Sequence, residues 1–259
     1  MPPFRGTRPL KRWRYVAVFC EELAACAAIV RVGPARQSFW AVLSRGENPS
    51  LRERTHTLAH RGAVELAPGR LRVRDGGVAL DVAFEEGAGI QAVCPHGRGY
   101  VWTRKQAGVP AHVTVALDGR RPKAVKALAV VDDTAGYHAR VTEWRWAAGV
   151  GVDPTGTPLA FNLVEGVNDP PAGSERAVWV AGEPHEVAPV TFAPDLTTLT
   201  AADGAELRFT AEAQRSRREN LVVVRSEYRA PFGTFAGTLP GGLELAHGLG
   251  VVEHHRALW

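Results

Sequence analysis

Cysteine is scarce: Cys20, Cys26 and Cys94 are the only three in 259 residues. Three cysteines without Cys-x-x-Cys spacing cannot all pair, and they read as small buried hydrophobes of a reducing compartment. Long apolar runs are also missing. No stretch approaches the roughly 20 residues that a membrane helix needs, and the apolar segment 23–30 is closed off by Glu21, Glu22 and Arg31. The basic N-terminus is not followed by a signal-like apolar segment, because Arg14 and Tyr15 interrupt residues 13–20. A cytoplasmic chain with no integral membrane segment is expected. The net charge is only +4, and the densest basic cluster (Arg215, Arg217, Arg218) has Glu212 and Glu219 beside it. Affinity for phosphate backbones needs several cations on one face, so no nucleic-acid partner is expected. Lysine is rare, 4 against 27 arginines, a bias that fits a GC-rich bacterial genome and implies no mechanism.

Several chemical signatures are absent as well. The nine histidines show neither His-x-His nor His-Glu-x-x-His spacing, and His254-His255 would point to opposite faces of a strand, so no metal is expected. There is no Gly-x-Ser-x-Gly elbow, no P-loop and no Gly-x-Gly-x-x-Gly between a strand and a helix. No cofactor is expected.

What is present is β structure. Apolar residues make up 45% and charged residues 22%, a globular balance that argues against disorder. Turn signals recur at short intervals between extended runs at residues 13–20, 23–32, 37–43, 63–66, 70–74, 78–84, 89–93 and 100–104. Residues 70–74 alternate charged and apolar side chains, the period of a half-buried strand. Asp75-Gly76-Gly77 and Asp118-Gly119 are hairpin signals, and residues 153–158 repeat the theme. Residues 205–214 read as strand because Leu207, Phe209 and Ala211 alternate; residues 21–28 fit helix or strand, and a short helix fits 133–138 or 214–220. The expected fold is all-β, two packed antiparallel barrels or sandwiches with little helix. The division is placed at 1–115 and 116–259, near Gly108 and Pro110. No convincing internal repeat is visible, and the oligomeric state is not legible.

Four polar-aromatic clusters carry the candidate chemistry: residues 102–106; residues 132–138 with Trp144 and Trp146; Asn162, Glu165, Asn168 and Asp169 with Glu175 and Arg176; and residues 231–235 with Glu253, His254 and His255. Asp132 or Asp133, with Tyr137 and His138 close behind, suits a general acid with a proton relay, since a desolvated carboxyl beside a like charge stays protonated. The alternative for Asp133 is a turn cap that bonds backbone N–H groups. Trp144 and Trp146 lie two apart and share a strand face, as core packing or as a ligand wall. Phe161, Trp179 and Phe192 read as core.

Asp132-Asp133-Thr134-Ala135-Gly136-Tyr137-His138, Trp144-x-Trp146, Asn162-Leu163-Val164-x-Gly166, Ser174-Glu175-Arg176 with Trp179, Pro231-Phe232-Gly233-Thr234-Phe235 and Glu253-His254 together resemble the family called domain of unknown function 2804. That family is distantly similar to the two-barrel, lipocalin-like proteins that include carotenoid 1,2-hydratases and AttH-type proteins. The resemblance implies an apolar, isoprenoid or lipid-like small molecule held in a barrel mouth or in the cleft between halves. It also implies a hydratase-like or isomerase-like reaction started by protonating an alkene. Asp132, Asp133, Tyr137 and His138 are then the catalytic candidates. Trp102, Arg104, Trp144, Trp146, Asn162, Glu165, Glu253 and His254 are the ligand-binding ones. A non-catalytic lipocalin-like carrier or sensor and a glycan-binding β module are the competing readings.

Overall fold

The computed structural model describes residues 1–46, 48–57, 62–221 and 224–259. No helix occurs among the described residues. In chain order the strands are β1 (Phe4–Arg5), β2 (Arg8–Pro9), β3 (Lys11–Phe19), β4 (Leu23–Val32), β5 (Ala35–Ser44), β6 (Ser50–Thr57), β7 (Val64–Ala67), β8 (Arg70–Asp75), β9 (Val78–Phe84), β10 (Ile90–His96), β11 (Gly99–Leu117) and β12 (Lys123–Gly136). The second half holds β13 (Val141–Val152), β14 (Pro158–Glu165), β15 (Ala177–Val180), β16 (Glu183–Glu186), β17 (Val190–Phe192), β18 (Thr198–Ala201), β19 (Glu206–Leu221), β20 (Val224–Leu239) and β21 (Leu243–Leu258).

Two antiparallel meanders result. The first runs β6-β5-β4-β3-β12-β11-β9-β8-β7 with β10 added against β11; the second runs β16-β15-β14-β13-β21-β20-β19-β18-β17. Apart from β10, the two orders are the same. In each, the last strand returns to pair with the first, so the sheet curls into a barrel whose strand order, among the described residues, ends at β6 and β7, or at β16 and β17. Side chains bridge the first opening: Trp40 Nε1 on β5 donates to Asp75 at the end of β8 (2.8 Å), and His56 Nε2 on β6 lies 2.7 Å from the same carboxylate.

The alternation of the strands explains three separate cores. On β3, Val16 and Val18 point into the first barrel, while Tyr15, Ala17 and Phe19 point out of it. The first barrel is filled by aliphatic residues such as Val42, Leu71, Leu80 and Val113, and the second by Phe161, Leu163, Phe209 and Phe235. A third core lies between the barrels, where Phe19 meets Phe232 and Tyr15 meets Trp146 edge-on, ring centroids 6.5 and 5.6 Å apart. Burial of each such side chain contributes about 1.5–3 kcal/mol, so the interface is as much a core as the barrel interiors.

Several expectations change. Residues 133–138 and 214–220 hold no helix; Asp133 through Gly136 end β12, and 214–220 lie within β19. The ambiguous 21–28 segment leads into β4. Sheet membership changes between Gly136 and Val141, later than residue 115. Gly108 is no linker: it bulges β11, where the register shifts between Ala107 and Val109, and Asp118-Gly119 turns β11 into β12 inside the first barrel. Cys26 and Cys94 are buried and Cys20 is half-buried, all three as free thiols.

Candidate functional site

Because both barrel interiors are packed, the hollow lies between them. A cavity of about 890 Å³ is walled by the outward faces of β3–β6, β11 and β12 on one side and of β13, β14 and β19–β21 on the other. Strand register sets its first wall. Thr55, Phe39, Ala28, Tyr15, Asp132 and Lys105 form one cross-strand row from β6 to β11, and all six line the cavity. On the opposite wall, Trp144, His255, Tyr228 and Arg217 form one row, with Val164, Trp146 and Glu253 in the next. Trp13 and Trp144 face each other across the space, nearly parallel, with centroids 6.2 Å apart.

The polar groups in this aromatic surround are charged and paired. Lys105 Nζ lies 2.8 Å from Asp132 and 3.2 Å from Glu175, and 5.8 Å from the centre of the Trp146 ring. Burial alone would lower the Lys105 ammonium, but the two carboxylates outweigh it and hold it above its ordinary value. Burial pushes the Glu175 carboxyl up against the pull of Lys105. Asp132 also accepts hydrogen bonds from Thr134 Oγ1 (2.8 Å) and Trp13 Nε1 (3.2 Å). Asn168 Nδ2 donates to Glu175 (2.9 Å). Trp146 Nε1 donates to Asn162, whose own amide donates to the Glu175 carbonyl, each at 2.8 Å. This chain of bonds fixes the tryptophan ring against the ion cluster.

Glu253 differs from these carboxylates. Among the described residues it accepts one hydrogen bond, from Trp144 Nε1 at 2.8 Å, and has no lysine or arginine in salt-bridge contact; the His255 ring lies 4.0 Å away. Burial pushes its carboxyl up to about 7, with Asp132 adding to the rise and the Trp144 bond opposing it. His255 is itself pushed down to about 3 by burial, then by His254, and is therefore neutral, hydrogen-bonded to Ser226 Oγ at 2.7 Å. Burial also raises the phenols of Tyr15 and Tyr228 well above their usual value, so both are neutral. Arg215 crosses the interface to pair with Glu53 and stacks on Phe39, its guanidinium 4.2 Å from the ring centre.

The sequence candidates divide among several places. Asp132, His138, Trp144, Trp146 and Glu253 line this cavity. His138 is buried, and burial, then Lys11 and His96, push it down to about 3; its ring sits 5.2 Å from Trp13, and neither nitrogen has a hydrogen-bond partner of good geometry. Asn162 lies behind Trp146 rather than on the wall. Asp133, one residue on from Asp132, points to the opposite face of β12, where it binds Arg14 (2.8 Å) and Arg104 (2.8 Å). It caps no turn, because the strand runs straight through it. Arg104 and Trp102 share that face, and Trp102 Nε1 donates to Gln91. Tyr137 donates to the Pro2 carbonyl (2.6 Å) and packs on Tyr100, Glu165 pairs with Arg145 (3.2 Å), and His254 faces outward to Glu143 (2.9 Å). None of these three lines the cavity.

Lys105, Glu175 and His255 fall within the polar-aromatic clusters of the sequence but received no role there, and Trp13, Tyr15 and Tyr228 were not singled out at all. Lys105 carried a signal: it is one of four lysines in an arginine-rich chain and falls on a strand. Among the described residues no group of three or more His, Cys, Asp or Glu is arranged to hold a metal ion.

Two solved structures share this architecture. A putative AttH from Nitrosomonas europaea aligns over 96% of this chain and 92% of its own, at 12% identity and a TM-score of 0.51. Kievitone hydratase from Nectria haematococca aligns over 94% of this chain and 88% of its own, at 11% identity and a TM-score of 0.55. Likeness at this identity establishes the all-β, lipocalin-like fold and nothing about chemistry. No curated protein matches the sequence. A family model described as domain of unknown function (DUF2804) matches residues 78–259, from β9 to the last residue, and the chain belongs to that family.

Proposed function

We propose that this protein binds a mainly apolar, isoprenoid-like or lipid-like small molecule between its two barrels and adds water to, or isomerises, a carbon–carbon double bond in it by acid–base catalysis. The observation that carries this reading is that two carboxyl groups in different surroundings open on the same aromatic cavity. Asp132 has Lys105 beside it, and among the described residues Glu253 has no such cation. Unlike environments are what divide two carboxyl groups into an acid and a base.

Glu253, protonated near neutral pH, gives its proton to the less substituted alkene carbon, and the π electrons form that C–H bond. The positive charge left on the neighbouring carbon faces the π surfaces of Trp13, Trp144 and Trp146. A water oxygen then bonds to that carbon while Asp132 takes the water's proton, so that H and OH have been added across the double bond. Proton return from Asp132 to Glu253 through water restores the starting state. Isomerisation follows the same first step, with Asp132 removing a proton from the neighbouring carbon in place of water addition. The shared fold of a hydratase agrees with this reading as analogy only.

The test is incubation of a panel of prenylated phenols and prenyl alcohols in H₂¹⁸O, with mass spectrometry of the products. Incorporation of ¹⁸O by the wild type and its loss in Glu253→Gln is the expected result. No turnover of any alkene, together with a lipid that survives purification in a native mass spectrum, would leave a carrier instead.

A further inference from the structure

The inward face of the first barrel changes character along its strands. On β3 the inward residues run Val18, Val16, Arg14, Arg12; on β4, Ala25, Ala27, Ile29, Arg31; on β5, Val42, Trp40, Ser38, Arg36. The aliphatic core therefore ends in a ring of arginines at one open end, around a second cavity of about 620 Å³. Two of them are neutralised. Arg14 and Arg104 both bind Asp133 and Glu86, two cations against two carboxylates, and this lattice fixes the floor of the cavity.

The others are not neutralised. Arg12 and Arg31 line the cavity and lie directly opposite each other; Arg36, directly opposite Arg31, continues the row but borders the cavity between the barrels instead. Among the described residues no carboxylate lies within ion-pair distance of any of the three; the salt bridges of this region all belong to Arg14 and Arg104. Like charges directly across a strand pair are destabilising, and three in one row at the rim of a concave space is the arrangement that an oxyanion would relieve. The fork of an arginine suits carboxylate and phosphate oxygens. Arg14 Nε is buried there without a partner, a further unused donor.

We propose that this open end of the first barrel is a separate binding site for a small-molecule oxyanion, a carboxylate or phosphate, held by Arg12 and Arg31, with Arg36 adding its charge from the next place in the row, over the Arg14–Asp133–Arg104–Glu86 floor. The half-buried indole of Trp102 offers a face for the body of the molecule. The site is shallow, since the core below it is solid, and it lies on the other side of the sheet from Asp132 and Lys105.

The test is calorimetric titration of the full chain with pyrophosphate and with citrate at low ionic strength. Wild type is compared with Arg12→Gln/Arg31→Gln and with Arg120→Gln/Arg121→Gln, which removes the same charge from an exposed turn. Saturable binding by wild type, weakened about tenfold or more in the rim variant and unchanged in the turn variant, is expected from the loss of two charge-assisted contacts. Without anion, the rim variant melts at or above the wild-type temperature, because the repulsion is gone. Absence of saturable binding, equal weakening in both variants, or a rim variant that melts several degrees lower without anion would each overturn the proposal, the last by making the row structural.

Discussion

Asp132 and Glu253 hold matching positions in the two barrels. Each lies on the strand that closes its meander, β12 or β21, opposite an aromatic residue of the first strand, Tyr15 or Trp146. Each accepts the indole N–H of the tryptophan two residues earlier on that first strand, Trp13 at 3.2 Å and Trp144 at 2.8 Å. What separates them is Lys105, which β11 places beside Asp132; at the comparable place on β20, between the Arg229–His254 and Phe232–Val251 pairs, stands Ala230.

That difference fixes the sign of a pH effect. The folded-state carboxyl of Glu253 is raised from an ordinary 4.5 to about 7, so its contribution to stability is present below pH 4.5 and is lost as pH rises through 7. Glu253→Gln removes this dependence. Relative to wild type, the variant gains stability between pH 5 and pH 8, on the order of 3 kcal/mol at most, as read by urea denaturation at both values. If Glu253 is the proposed acid, turnover is expected to decline above about pH 7, where it loses its proton. A stability difference that does not vary with pH would contradict the assignment.

Removing Lys105 strands two carboxylates. In Lys105→Met, Asp132 and Glu175 lose the cation that lies 2.8 and 3.2 Å away, at a cost of roughly 3–5 kcal/mol near pH 8. The loss shrinks toward pH 5, because burial already favours a proton on Glu175. Denaturation curves at the two pH values measure the difference, and an equal loss at both would mean that packing, not charge, is what Lys105 supplies.

His138 and His255 act in the acid range. Both are pushed from 6.5 to about 3 by burial, so the stability they confer is complete above pH 6.5 and is lost as pH falls toward 3. His255→Asn keeps a hydrogen-bonding partner for Ser226 and cannot be charged. Its acid-unfolding midpoint, followed by tryptophan fluorescence, is expected below that of the wild type; a midpoint at or above the wild-type value counts against a neutral, buried His255.

Gly250 is required by the contact between β21 and its neighbours. A Cβ there would lie 2.2 Å from the Ala148 carbonyl oxygen and 2.9 Å from the Phe235 ring, and its cross-strand partner is also a glycine, Gly149. Gly250→Ala is expected to cost about 3 kcal/mol, visible as a lower melting temperature. Ala at exposed Gly119, where a Cβ meets nothing within 4 Å, serves as the mild comparison, carrying only the penalty of its positive φ.

Much of the fold was legible because its determinants are local. The alternation in Arg70–Asp75 and the Asp-Gly turns identified strands and hairpins without any knowledge of what they pack against. The site was legible only in part, for two physical reasons. Adjacent side chains on a strand point to opposite faces, so Asp132 and Asp133, read as one unit, belong to different cavities. The wall that Asp132 joins is assembled from Tyr15, Phe39 and Lys105 on separate strands, and register between distant strands leaves no mark in a local window. Tyr137 follows the end of β12 and turns toward the N-terminal residues, which the motif around it does not reveal.

The shared strand order of the barrels has a chemical consequence. Two separate but identical subunits meeting through this surface would be bound by symmetry to present the same group twice, two Asp132-like or two Glu253-like carboxyls, each with the same neighbours. Joining both barrels in one polypeptide lifts that constraint. A lysine can then be placed against one carboxyl and withheld from the other, so that a single cleft holds two carboxyls in unlike surroundings.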